Sequence, residues 1–340
     1  MHSTRSKVLV LVLAAALLSA VAVSASADPI VSGLHQAAKK EAVVTIYGPS
    51  QQILDLLVKE FPKAFPGIEV KTVHLDPPDL AARIITEKRA GQPRADLTLG
   101  SMRDYVDLVD RGLISRQDHA ALGIPRDRLL FDGRMVATNN SVFAHGYNTK
   151  LVKRTELPKT YRELLDPKWK GRLAGWEFFV SAGLAFWGME VGDDLALEYA
   201  RNLRNHDLLL TRAVANVVGA GERAIWLFGH VHTILLEREK GAPVDLFFIE
   251  GHGAAQIGAL IPEGARNVNA ARLVIKYLLS EPGRAMLWKY SRTGDARPGA
   301  TGELANVIAA HGGRVTVEGE DNFRPRALLA GKLRKALVGQ

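Results

Sequence analysis

Cysteine is absent from all 340 residues. That excludes disulfides, thiol nucleophiles and cysteine metal sites, so stability has to come from packed cores. Long apolar runs are scarce too: beyond Val23 none approaches the roughly 20 residues needed to cross a bilayer. No basic run is interleaved with aromatics, which argues against a nucleic-acid partner despite a formal net charge of +8. The patterns H-E-x-x-H, G-x-S-x-G and G-x-x-x-x-G-K do not occur, so three common catalytic signatures are missing. Internal repeats are lacking as well.

What the chain does have begins at its start, "MHSTRSKVLVLVLAAALLSAVAVSASADP". Arg5 and Lys7 precede an apolar run from Val8 to Val23, and small residues close on Ala25-Ser26-Ala27. This is the pattern of a signal peptide over residues 1–27, cleaved before Asp28; a retained anchor is the competing reading. With no cysteine to lipidate, the mature chain is expected free in a bacterial periplasm, not spanning a membrane. It is long enough for two domains of ordinary size. The scattered positive charge could steer an anion.

"VVTIYG" reads as a buried strand, followed by "PSQQILDLLVKEFPKAFPG" as a helix with one apolar face. "IEVKTVHL", "PDLAARIITEKRAG", "ADLTLG" and "SMRDYVDLVDRG" continue the alternation, with Ser32 expected to cap the helix before the first strand. Strand and helix in turn mean an α/β domain with a largely parallel sheet, whose ligands gather beyond the carboxyl ends of its strands. Tyr47 to Gln51 and Gly100 to Ser101 occupy those positions. A long extended segment, "MVATNNSVFAHGYNTKLV", then reads as a crossover to a second α/β lobe. "APVDLFFIEGHGAAQIGALIP" reads as extended chain running back. Helices are expected over "YRELLD", "DDLALEYARNLRNHDLLL", a pair broken at Pro282, and "RPRALLAGKLRKAL".

In this order "KKEAVVTIYG", "FPKAFPGIEV", "ADLTLGS", "YNTKLV", "LPKTYRELLDPKWKGRLA", "GERAIWLFGH", "GAPVDLFFIE" and "NVNAARLVIKYLLSEPGRAML" resemble the periplasmic solute-binding proteins of ABC importers, in the group similar to ferric-ion-binding proteins. The resemblance implies a two-lobed type II periplasmic-binding-protein fold, with mixed sheets, helices on both faces and extended crossovers as the hinge. It implies lobes of 28–138 plus about 255–292 and of 139–254 plus about 293–340. It also implies a monomeric, non-enzymatic carrier without cofactor that closes on a small ligand and docks on an inner-membrane ABC permease. A sensor kinase is a further partner compatible with the same cleft.

Ligand-binding candidates follow from chemistry at helix starts. Tyr47, Ser50 and Gln51, then Gly100 and Ser101, offer backbone N–H groups to an anion, with plain capping as the alternative for the serines. Ser181, Ala182 and Gly183 are expected to present a third helix start from the second lobe, or an ordinary turn. His230 and His232 alternate, and on an extended segment both would share one face. In ferric-binding relatives the segment matching "AIWLFGHVH" carries adjacent tyrosines, where this chain has Gly229 and His230. Trivalent iron prefers anionic oxygen, so an organic carboxylate, phosphate or phosphonate is the expected guest of His230 and His252. Ferric iron or an iron complex is the alternative. A zinc-type site of His230, His232 and Glu250 or His252, or a metal-dependent hydrolase built on it, remains open, as does simple packing of His232. Trp176, Phe178 and Phe179 suggest an aromatic wall, and Arg172 a carboxylate partner or a solvated side chain.

Overall fold

A computed structural model describes residues 28–340. The leader and its cleavage junction lie outside the described residues. Along the chain come α1 (Pro29–Glu41), β1 (Val43–Gly48), α2 (Gln51–Ala64), β2 (Glu69–His74), α3 (Pro77–Arg89), β3 (Leu97–Ser101) and α4 (Met102–Asp110). Next are β4 (Leu129–Leu130), β5 (Met135–Asn148), β6 (Leu173–Gly175), α5 (Glu177–Val191), α6 (Asp193–Asn205), β7 (Leu209–Leu210), α7 (Val214–Ala220) and β8 (Ile225–His230). The chain ends with α8 (Val231–Glu239), β9 (Val244–Phe247), β10 (His252–Leu260), α9 (Val268–Leu279), α10 (Glu281–Ser291), α11 (Glu303–Ala310), β11 (Val315–Val317) and α12 (Glu320–Val338).

Strands run in the order β2-β1-β3-β10-β5-β8-β6-β7. The two long central strands are what join the halves. β5 pairs with β10 through Val142 and with β8 from Phe143 onward, so one strand leaves the first sheet and enters the second. Side chains alternate across each half, which splits the core into layers on opposite faces of the sheet. In the first half Val44, Ile46, Val136 and Ala259 face one layer, while Tyr47, Met135 and Leu260 face the other. In the second half Phe143, Leu173 and Leu227 face one layer, and Val142, Ala174 and Trp226 the other. Helices cover both faces, giving a mixed two-lobed α/β architecture. A third passage at Thr293 to Ala296 crosses beside the first two: Asn140 N donates to Gly294 O at 2.7 Å and Ala296 N to Asn140 Oδ1 at 2.8 Å.

Several sequence expectations change. Helix α1 is capped by Asp28, whose carboxylate accepts from Ile30 N at 2.9 Å, rather than by Ser32; Pro29 then fits the first turn. "YRELLD" holds only a 3₁₀ turn at Glu163–Leu165. The return passage is interrupted between β9 and β10, where Gly251 takes φ of 65°. Helix α12 begins at Glu320, and its Phe323 packs with Tyr47 and Leu80 in the first half while Leu329 and Leu333 pack in the second. Among the described residues no helix is long and apolar enough to cross a membrane.

Candidate functional site

Strands β1 and β3 end side by side, and the chain turns into α2 and α4 at that edge. Ser50 caps α2, its Oγ accepting from Ile53 N at 3.4 Å. Ser101 precedes α4 without capping it, and its buried Oγ has no hydrogen-bond partner. Gly100 is required here because a β-carbon would come within 2.6 Å of the Tyr105 ring, which folds over the strand end. Tyr105 is held there by donating to Leu99 O at 2.6 Å.

Two adjoining cavities open from this edge into the gap between the halves. The larger, of about 280 Å³, is lined by Gly48, Ser50, Gly100, Ser101, Asp104, Thr138, Asn139, Ser141, His232 and Ile257 among others. The smaller, of about 150 Å³, is lined by Ser101, Arg103, Ser141, Phe143, Phe178, Phe179, Ala182, His230, Ile257, Glu318 and Arg326. Ser101, Ser141 and Ile257 belong to both, so the two form one cleft.

Of the residues expected from sequence, Ser50, Gly100, Ser101, Ala182 and His230 line this cleft. Four others do not. Tyr47 points away from it: its hydroxyl donates to Glu87 Oε1 at 2.8 Å, beneath the Arg83 guanidinium. Gln51 is exposed and donates to Asp55. Ser181 lies inside α5, which starts at Glu177, and its Oγ donates back to Phe178 O at 3.0 Å. The expected helix start at Ser181 to Gly183 is therefore corrected, since the backbone is already helical there. His252 sits in the second lobe's interior, its Nδ1 donating to Ile249 O at 3.1 Å, with the His145 ring 4.7 Å away. Arg172 stacks on Trp169 outside the cleft.

His230 and His232 do not alternate along one strand. His230 ends β8, His232 stands in the first turn of α8, and their rings stack 5.1 Å apart. Burial pushes both below the usual histidine range, His232 to about 4, and the charges of His232 and Arg103 add to the effect on His230. Both are neutral at physiological pH and can each donate one N–H. No described group of three or more His, Asp or Glu is arranged to hold a metal, and no tyrosine lines either cavity. Ser141 Oγ lies 3.5 Å from His232 Nδ1, but no carboxylate bonds that imidazole, so the orienting half of a Ser-His-carboxylate triad is missing among the described residues.

The cations of the cleft went unnoticed in the sequence. Arg103, on α4 of the first half, lies half-buried over the Phe178 ring of the second half at 4.7 Å, and its side chain is in no ion pair or hydrogen bond among the described residues. Arg326 of α12 is buried over Phe186 at 4.2 Å and ion-paired to Glu318, yet its Nε is unpartnered. Burial and the neighbouring Arg103 lower it to about 10, still fully charged at neutral pH. Arg103 had a signal, because it follows a strand end already of interest. Arg326 had none.

The comparisons agree with this architecture. Residues 114–306 match the family described as "Bacterial extracellular solute-binding protein". The chain belongs to that family. A curated protein of Haemophilus influenzae is 29% identical over 160 residues, which is 44% of this chain; the match spans about half of that relative, 46%. Among solved structures, the fold is similar to the substrate-binding protein of an ABC transporter from Agrobacterium tumefaciens, with a TM-score of 0.69 and 19% identity over 88% of this chain and 96% of that one. It is also similar to iron-bound HitA from Pseudomonas aeruginosa, with a TM-score of 0.72 and 21% identity over 87% and 99%.

Proposed function

We propose that the chain is the periplasmic substrate-binding component of an ABC transporter, a carrier rather than an enzyme, whose cleft captures a small organic anion of carboxylate, phosphate or phosphonate type and delivers it to an inner-membrane permease. The observation that carries this reading is the uncommitted guanidinium of Arg103, facing the unpartnered Arg326 Nε and neutral His230 across one small cavity. A buried donor without an acceptor is costly, as at Arg326 Nε, and an anion satisfies it together with the half-buried Arg103 guanidinium through charge-assisted bonds. Among the described residues no tyrosine lines this cleft, and its two carboxylates are split between the cavities, Asp104 in one and the ion-paired Glu318 in the other, so no cluster of anionic oxygens is offered to a ferric ion.

Closure follows from where these groups sit. Arg103 belongs to the 28–138 lobe, His230 to the 139–254 lobe and Arg326 to the returning tail, with β5 and β10 as the hinge strands. A guest touching all three favours the closed state by its extra contacts there. The test is a thermal-denaturation screen of the mature protein against carboxylates, phosphates, phosphonates and ferric salts. A true ligand at a hundredfold excess over its Kd adds about 2.7 kcal/mol of stability. A shift with ferric salts alone would refute the organic-anion reading.

A further inference from the structure

Arg103 and Asp104 are neighbours on α4, and about 100° of helical rotation sends them into different cavities. Among the described residues Asp104 is the only charged one lining the larger cavity. The smaller cavity holds Arg103 and Arg326, and its one carboxylate, Glu318, is already engaged by Arg326 and by Gln256 N at 3.2 Å. The cleft is thus electrically polarised, positive at one end and acidic at the other.

We propose that the cleft selects a zwitterion, an organic acid or phosphonate that also carries a protonated amine, with the acid at Arg103 and the ammonium beside Asp104. This deepens the organic-anion reading and rests on it. An anion placed wholly in the larger cavity would meet a carboxylate and no cation. A guest whose acid group fills the smaller cavity must extend past Ser101 and Ser141 into the larger one, since these residues line both. There Asp104 stands half-buried, and burial raises its carboxyl above the usual range against the opposing pull of Arg103 and the Ser101 backbone N–H. An ionised carboxyl has about four acceptor positions, and those facing the cavity are left to the guest. A carboxylate partly withdrawn from water gains by a partner of opposite charge, and an ammonium supplies it. Asn139 and His232 add neutral polar groups to the same cavity.

The test is calorimetric titration of the full mature chain with matched pairs: 3-aminopropylphosphonate against propylphosphonate, and 4-aminobutanoate against 4-hydroxybutanoate and butanoate. The amine member is expected to bind at least about tenfold more tightly in one series, and Asp104→Asn to collapse that ratio, with unchanged melting of the free variant checking its fold. The wild-type ratio alone decides the matter should the variant fail to fold. Equal affinity of the amine-free or hydroxyl members overturns the zwitterion assignment while leaving the anion reading in place. Binding by no member of any series, with a response to ferric salts only, removes both.

Discussion

Acid should unfold this protein earlier than its carboxylates alone would dictate, because several of its histidines are buried in the neutral form. His119 and His252 are each 1% exposed. Burial first, and for His119 also the charge of Arg272, lowers both to about 4. In the unfolded chain they titrate near 6.5. Above pH 6.5 neither state is protonated and stability is complete; between 6.5 and 4 the unfolded state binds protons that the folded state refuses; below 4 the loss is finished. At pH 5.5 each group therefore costs about 1.4 kcal/mol, so the pair costs about 3 kcal/mol. His145 and His230, shifted well below 6.5 by the same desolvation, push in the same direction. Folded domains are stable by only about 5 to 15 kcal/mol, so the effect is large. Urea unfolding followed by circular dichroism at pH 7.5 and 5.5, at fixed ionic strength, measures it. A loss of at least about 3 kcal/mol is expected, and His252→Gln should reduce the pH-dependent part by about 1.4 kcal/mol whatever its cost at pH 7.5. Stability equal at the two pH values to within about 1 kcal/mol would refute the reasoning.

Other substitutions probe the site and the frame around it. Arg103→Met should weaken the anionic ligand about 10- to 100-fold in a calorimetric titration, the loss of a charge-assisted hydrogen bond, with little change in the free protein's melting. Gly183→Ala should destabilise by about 1 to 3 kcal/mol in urea titration, because a β-carbon there overlaps the Phe228 ring, which is buried against the His145 ring at 4.6 Å and the Tyr161 ring at 6.0 Å and has no room to swing away. Asp96→Ala should cost about 3 kcal/mol or more by the same assay. That buried carboxylate accepts from Thr45 N at 2.8 Å and from Arg266 N and Asn267 N at 3.1 and 2.9 Å, tying β1 to the start of α9.

Much of the frame could be read directly from the chain. "VVTIYG" and "ADLTLG" gave buried strands, and the apolar spacing of Ile53, Leu56, Leu57 and Phe61 gave the face of α2 that packs inward. Those signals are local, resting on side-chain period and on capping, so they survive without tertiary knowledge. Ser50, Gly100 and Ser101 were legible for the same reason, each standing at a strand end that opens a helix, whereas His230 came from its pairing with His232 and from the resemblance, not from the strand end it occupies. Tyr47 was misread because residue parity, which sends Ile46 and Tyr47 to opposite faces, does not say which face meets the cleft. The run "WEFFVSAG" misled because Trp176, the residue before α5, offers no side-chain cap, so nothing in the sequence marked the true first turn at Glu177.

Sequence alone thus determined the alternation of strand and helix, the two long crossovers, the lack of thiol chemistry and the strand-end residues, since each is encoded within a few neighbouring positions. Tertiary structure alone decided that His252 is core, that Arg326 returns from the last helix to meet Arg103, and that Asp104 faces a different cavity from its neighbour. Those outcomes depend on contacts between segments up to more than two hundred residues apart, and on which buried donors are left without a partner once the halves meet.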